Sequence, residues 1–445
     1  MGRFLFATWE GGGHVQPMLL AAQGLAERGH QVLVVSDACN QPDAEALGLG
    51  FQPWRIAPSR TDRLPSSDPL KDWLALTPKA VIEGLVDGIM CGPAETYALE
   101  TAEIIDRFAP DVVITHELMF GVMVGAEARG TPLAIFTANV WSLPTLTDAT
   151  PFGAGVAPAE TEFDRDLHGQ ILRATRAAFQ VGLPRLNQVR AQLGLAPLAD
   201  LFDQLDAAAR ILLATSRAFD FECDLPESFR YVGPYLADPA WARDWTAPWP
   251  IAGRDPLVLA SFSTMYQGQE GLLERVIEAL GRLPVRGLVT LGPALSPEVF
   301  STPANVAVLQ SAPHSQLYPI ASVVVTHAGH GACLRPLMDG APLLCIPLGR
   351  DQPDNAARAV ERGAALRLAK DASVDDITAA VRRLLEEPAF RAAARRLGAQ
   401  IVADAAKRSA EDELEAMLPS DGASKTQDRA AVGRDRLAGD KATVG

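Results

Sequence analysis

No run of about 18 consecutive apolar residues occurs in the 445-residue chain, so it offers nothing that reads as a membrane-spanning helix. Cysteine is scarce. The five residues (Cys39, Cys91, Cys223, Cys333 and Cys345) are scattered and odd in number. That argues against a disulfide framework and for buried thiols in a reducing compartment. The apolar Phe4-Leu5-Phe6 extends into no longer apolar region, so a secretory signal is not expected and a cytoplasmic location is. Positive charge is in deficit: 40 Lys and Arg against 54 Asp and Glu, a net charge of −14. This balance argues against nucleic acid or an anionic membrane as partner. From Pro419 onward there is neither an aromatic residue nor periodicity, which predicts a disordered tail over 419–445.

What is present is an ordinary globular composition, 48% hydrophobic and 21% charged. The length suits two domains better than one. Short apolar runs alternate with helical patterns almost throughout, which predicts an α/β fold of doubly wound parallel sheets. Strands are expected over 3–8, 31–36, 111–115, 132–136 and 211–215. A second series is expected over 257–262, 287–291, 305–309, 322–326, 343–347 and 364–368. Between the series, residues 233–255 hold four prolines and three tryptophans and read as an ordered linker. The expected division is a first domain over 1–236, a linker over 237–255 and a second domain over 256–387. A helix over 388–418 is expected to pack across both, ahead of the tail. Residues 60–95 and 140–200 exceed ordinary connections and are expected to form helices and loops over a cleft.

The densest functional signal is HAGHGACLRPLMDGAPLLCIPLGRDQ, residues 327–352. An apolar run, Ser322 to Thr326, feeds a tight glycine-containing turn, and a helix is expected to start near Gly331. Such a helix start directs unpaired N–H groups and a positive dipole end at a ligand, which suits phosphate. Gly329 and Gly331 let the ligand approach the backbone, and His327 adds a side-chain donor. His330 is expected to line the same site, with Ala332 closing the turn. A second apolar run, Leu343 to Pro347, leads to Asp351-Gln352 on the same sheet edge, where ligands of open α/β sheets bind. A carboxylate beside an amide suits sugar hydroxyls, which both donate and accept. Phosphate at one end and polyhydroxyl at the other read as a nucleotide sugar.

This stretch resembles the donor signature of the GT-B glycosyltransferases that act on small molecules. That group includes plant and animal UDP-glycosyltransferases and the bacterial macrolide and antibiotic glycosyltransferases. The resemblance covers residues 1 to about 415. It implies two Rossmann-like domains facing each other across a cleft, the first binding the acceptor and the second a UDP- or dTDP-linked sugar. It implies inversion at the anomeric carbon, no metal and no cofactor besides that co-substrate. The acceptor would be a small hydrophobic or aromatic natural product. Gly13-His14-Val15-Gln16-Pro17 resembles the Gly-His-x-x-Pro motif, which implies that His14 removes the acceptor proton. Ser263 and Thr264 would hold the diphosphate from the other side, and the segment around Ala312 would read the base. The chain departs from relatives at Ala332 (often Ser or Thr), Arg335 (Glu in plants) and Ser311 (Trp in plants). After the run 110–115 relatives place an aspartate that supports the histidine; here the residues are His116 and Glu117, and Glu117 is expected to take that part, the alternative being that His14 acts without a carboxylate partner, which a phenolic or otherwise acidic acceptor would permit. Trp9, Trp73, Phe120 and Trp141 are candidates for an acceptor pocket.

Other readings exist for the same residues. Gly11, Gly13 and Asp37 partly match a dinucleotide fingerprint, but Gln16 stands where the third glycine belongs. His327, His330 and Cys333 fall at metal-ligand spacing, although His327 belongs to the turn. Asp164-Arg165-Asp166 matches a DxD pattern but sits in a segment patterned as a helix start. A catalytically silent GT-B partner protein and a sugar-nucleotide epimerase remain as alternative functions.

Overall fold

The computed structural model describes residues 1–419 except 76, 239–247, 250–254, 263–265 and 293–294. Much of the expected linker and nearly all of the expected tail therefore lie outside the described residues. Two parallel sheets carry the chain. The first contains β1 (Arg3–Ala7), β2 (Gln31–Ser36), β3 (Gly50–Pro53), β4 (Val112–Thr115), β5 (Leu133–Thr137), β6 (Ala208–Leu213) and β7 (Phe229–Tyr231). Its order is β3-β2-β1-β4-β5-β6-β7. The second contains β8 (Leu257–Ser261), β9 (Arg286–Thr290), β10 (Val306–Leu309), β11 (Ala321–Thr326), β12 (Leu343–Cys345) and β13 (Ala365–Arg367), in the order β10-β9-β8-β11-β12-β13.

The central strands β4, β5 and β8 are buried at every residue. That is the signature of a parallel sheet covered on both faces by helices. In each sheet the chain reverses direction once, between β1 and β4 and between β8 and β11. Such a switch point opens a crevice beyond the carboxyl ends of the strands, where ligands of this architecture bind. Phe6 of β1 lies opposite Ile114 of β4, and Ser261 of β8 lies opposite Thr326 of β11. The loops after Ala7 and Thr115 therefore meet at one crevice, and those after Ser261 and Thr326 at the other.

Several contacts join the two halves. Asn139 meets Asp351, Arg358 meets Asp220, and His330 meets Thr215. The backbone N–H groups of Gly153 and Gly155 donate to Asp354. The chain then returns to its start. The helix Pro388–Ala405 lies against His330–Met338 so closely that a Cβ at Gly398 would fall 2.0 Å from the Leu337 carbonyl oxygen. The helix Ala410–Glu415 packs on the first helix, Val15–Glu27, with Ala410 and Leu414 in the same apolar cluster as Phe6 and Met18. No helix among the described residues is long and apolar enough to cross a membrane.

Candidate active site

His14 is the N-cap residue of Val15–Glu27, at the crevice of the first sheet. Its Nε2 lies 2.9 Å from the carbonyl oxygen of Trp9. The Trp9 indole is 5.3 Å from the His14 ring and the His116 ring only 4.1 Å, both tilted by 43°. This crowding accounts for Gly11, where a Cβ would fall 2.4 Å from Cε1 of His14 and 2.6 Å from Cζ2 of Trp9. Gly12 has φ 85° and donates its N–H to Oε1 of the buried Glu10 at 2.9 Å.

The expected contact between Glu117 and His14 does not form. His116 takes it, with Nε2 at 3.2 Å from Oε2 of Glu117. The rest of the Glu117 carboxylate is occupied by the hydroxyls of Thr137 (2.9 Å) and Ser142 (3.2 Å). A buried carboxylate takes the donors within reach, and Thr137 on the neighbouring strand is one of them. Burial holds His14 well below the usual imidazole range, and His116 and Arg350 push the same way, against Glu117 and the Trp9 carbonyl. Burial lowers His116 to about 3 and raises Glu117 above the usual carboxylate range.

In the second sheet, β11 runs into the His327 turn. Ala328 adopts φ 69° and donates its N–H to Thr326 Oγ1 at 3.2 Å. Gly329 caps the helix His330–Met338. A Cβ on Gly329 would fall 2.6 Å from Nε2 of His327, so glycine lets the imidazole lie against the turn. Nδ1 of His327 is buried and makes no hydrogen bond among the described residues; burial lowers this histidine to about 4, with the Ser261 backbone acting in the opposite direction. A buried ring nitrogen without a partner is unusual in a folded protein. Gly331 and Ala332 lie in the first turn of the helix, whose leading N–H groups have no helical acceptor. Ser263 and Thr264 fall outside the described residues, although the end of β8 that precedes them faces the turn.

His330 does not join the turn. It is buried, and its Nε2 lies 2.8 Å from the Thr215 hydroxyl in the first half. Ala312 is buried in the apolar core of the second half. Asp351 caps the helix Gln352–Glu361, and its Oδ2 accepts from Asn139 (2.9 Å) and Asn355 (2.8 Å). Gln352 holds its own loop, accepting from the N–H of Leu348 at 2.7 Å and donating to Gln267 at 2.9 Å. Arg350, between these elements, has φ 58° and makes a two-pronged ion pair with Asp72, at 2.5 and 2.7 Å.

Of the four aromatic candidates, Trp9 alone lines a cavity of the first half, of which His14 is not a lining residue. That cavity has a volume of about 300 Å³ and also presents Pro58, Arg60, Pro69, Ile89 and Tyr97. Phe120 is fully buried within the first domain's core, as the first residue of a helix packed under the sheet. Trp141 is edge-on to Phe229 and donates to Thr145 at 2.8 Å. Trp73 stacks edge-on against Tyr266 of the second half. The acidic pair at 164 and 166 also has a local explanation. Asp164 completes a capping box with Thr161 at the start of Glu162–Phe179.

Sequence patterns did not single out Asn139, Arg350 or the Trp9 carbonyl. Asn139 and Arg350 acquire meaning through contacts with residues far away in the chain, and a carbonyl is present at every position. The glycines at 11–13 were the available signal for the last.

Two doubly wound parallel domains with paired crevices define the GT-B class, and comparison with known proteins agrees. Among solved structures, the glycotransferase of kitacinnamycin superposes with a TM-score of 0.73 at 23% identity, covering 94% of this chain and 99% of that one. The glycosyltransferase VinC in complex with dTDP has a TM-score of 0.62 at 20% identity, covering 93% and 98%. Residues 274–417 match the family model of the erythromycin biosynthesis protein CIII-like C-terminal domain. The 4'-demethylrebeccamycin synthase of Lentzea aerocolonigenes is 30% identical over 94% of this chain and 99% of its own. The oleandomycin glycosyltransferase of Streptomyces antibioticus is 26% identical over 92% and 89%. The chain belongs to the antibiotic and macrolide glycosyltransferase family and is a glycosyltransferase.

Proposed function

We propose that the enzyme moves a sugar from a UDP- or dTDP-sugar to a hydroxyl of a small natural product, with inversion and without a metal. The observation that carries this reading is the pairing of two crevices. One presents His14 against Trp9, which lines a cavity, and the other presents the His327 turn at the N-terminus of His330–Met338. His14 takes the acceptor proton as the acceptor oxygen attacks the anomeric carbon. The bond from that carbon to the diphosphate oxygen breaks, and the electron pair leaves with the diphosphate. His327, the first-turn N–H groups and the helix dipole receive the developing charge. Asp351, close to Asn139 across the cleft, accepts from sugar hydroxyls through its remaining lone pairs. One in-line displacement inverts the anomeric carbon. The capping role of Asp164 supports the metal-free reading, because its carboxylate is already engaged with Thr161.

The test is release of UDP or dTDP from the corresponding sugar nucleotides in the presence of a panel of small acceptors, before and after EDTA. Acceptor-dependent release, undiminished by EDTA, is expected. Loss on chelation with recovery in magnesium or manganese would refute the metal-free mechanism. Conversion of the sugar nucleotide to an epimer without acceptor would replace transfer by epimerisation. No turnover with any donor that binds would favour the silent partner protein.

A further inference from the structure

Among the described residues His14 is held at one ring nitrogen only. A carbonyl oxygen accepts and never donates, so the 2.9 Å contact with Trp9 places the proton on Nε2 and the lone pair on Nδ1. The turn that makes this contact is rigidly built. Gly11 gives the two rings room, Gly12 donates to Glu10, and Arg63 Nε donates in turn to Glu10 at 3.1 Å.

The charged and titratable groups around the ring are His116 and Glu117 after β4 and Arg350 from the second half. None of them is a carboxylate in contact with His14. His116 accepts the Leu118 N–H at Nδ1 (3.2 Å), which leaves its Nε2–H to Glu117. It therefore presents a neutral ring to His14. Glu117 is engaged by His116, Thr137 and Ser142. Arg350 adds positive charge and opposes formation of an imidazolium.

We infer that His14 acts through Nδ1 as a base positioned by the Trp9 carbonyl, without a carboxylate partner, and that its acceptor carries an acidic hydroxyl, a phenol or an enol. This rests on the reading of His14 as the base. A buried carboxylate behind a catalytic histidine stabilises the imidazolium that forms. With that help missing, proton transfer is efficient when the donor itself is acidic. The acceptor O–H gives its proton to Nδ1, its oxygen bonds to the anomeric carbon, and the diphosphate leaves with the electron pair. The cavity that Trp9 lines sets apolar walls (Pro58, Pro69, Ile89 and Tyr97) beside polar ones (Asp37, Ser59, Arg60, Thr61 and Ser67), a lining suited to an aromatic body that carries hydroxyls.

The experiment is long-range proton–nitrogen NMR on the full chain labelled with ¹⁵N-histidine, with His14→Ala identifying the His14 signals. An Nε2–H tautomer that titrates below the ordinary histidine range is expected. An Nδ1–H tautomer, or titration at or above that range, would overturn the inference. His116→Asp is expected to raise the His14 titration by placing a charge against its ring; an unmoved titration would remove the supposed effect of the missing carboxylate and count against it. These readouts need neither donor nor acceptor. A second arm compares 2-naphthol with 2-naphthalenemethanol as acceptors, using UDP-glucose and dTDP-glucose. The phenol should be glycosylated at least about 100-fold faster. Equal rates would overturn the acidic-hydroxyl assignment. If His14→Ala instead keeps full turnover, the base reading fails, while the tautomer measurement still reports on the Trp9 contact.

Discussion

Gly11 and Gly329 are empty of side chain because a ring occupies the space. At each, a Cβ would lie within 2.6 Å of an imidazole atom, of His14 in one case and His327 in the other. Gly11→Ala must therefore shift either His14 or the Trp9 indole. Since a displacement near an ångström at a reacting group costs about 100-fold, turnover should fall by roughly 10- to 100-fold. Far-ultraviolet circular dichroism should change little, because the flanking elements stay intact, while the melting temperature should fall, since overpacking against the buried Trp9 indole costs roughly 1–3 kcal/mol. Unaltered turnover in Gly11→Ala would mean that His14 does not depend on this packing. His327 gives a complementary case. His327→Ala should weaken both the sugar nucleotide and free nucleoside diphosphate, since the phosphates are common to both. Loss of a hydrogen bond to a charged oxygen costs roughly 1.5–3 kcal/mol, or about 10- to 150-fold in Kd. Calorimetry showing equal affinity for UDP and dTDP in mutant and wild type would remove the phosphate role.

At the scale of elements, the last helix matters most for its distance from where it packs. Ala410–Glu415 seals the first helix through Ala410 and Leu414, both fully buried. Arg28 donates to Asp412 and Glu415, and Tyr235 donates to Glu411. Truncation after Lys407 should expose that apolar seam and leave the half-buried Tyr235 hydroxyl without its acceptor. A loss of about 2–4 kcal/mol is expected, read as a lowered melting temperature with unfolding that starts in the first half. A truncated protein melting with the wild type would show the seam to be unimportant. The strands expose the limits of pattern reading. Central strands such as Val112–Thr115 and Leu257–Ser261 were legible because burial on both faces demands unbroken apolar runs. Gly50–Pro53 and Phe229–Tyr231 were not. One contains glycine and proline, the other has three residues, and both are sheet edges, where short and proline-bearing strands are tolerated. The site shows the same division. His14, His327 and Asp351 stood out by local motif, whereas the occupation of Glu117 by His116 depends on which hydroxyls the fold brings near.

For the whole molecule, the seam between the halves is polar and partly buried, and His330 is the group through which pH acts on it most clearly. Its Nε2 meets the Thr215 hydroxyl at 2.8 Å with Phe219 edge-on to the ring, and the residue is closed off from solvent. Burial lowers its pKa from 6.5 to about 3, and Arg358 on the neighbouring helix adds to the effect. The sign follows from proton counting. Below pH 6.5 the unfolded chain binds a proton at this histidine that the folded chain refuses. The contribution of neutral His330 is therefore complete above pH 6.5 and is lost as pH falls toward about 3. Other buried groups titrate in the same range, including Asp354, raised to about 6 by burial and opposite in sign, so the absolute profile is a sum. A difference between variants isolates one term. His330→Gln keeps a polar atom within reach of Thr215 and does not titrate. Its stability relative to wild type should improve by roughly 1.4 kcal/mol for each unit of pH lowered between about pH 6 and pH 4. Urea midpoints for both proteins, taken at matched slopes, give this difference directly. A constant difference across that range would show that water or movement of the halves lets His330 take up its proton in the folded state.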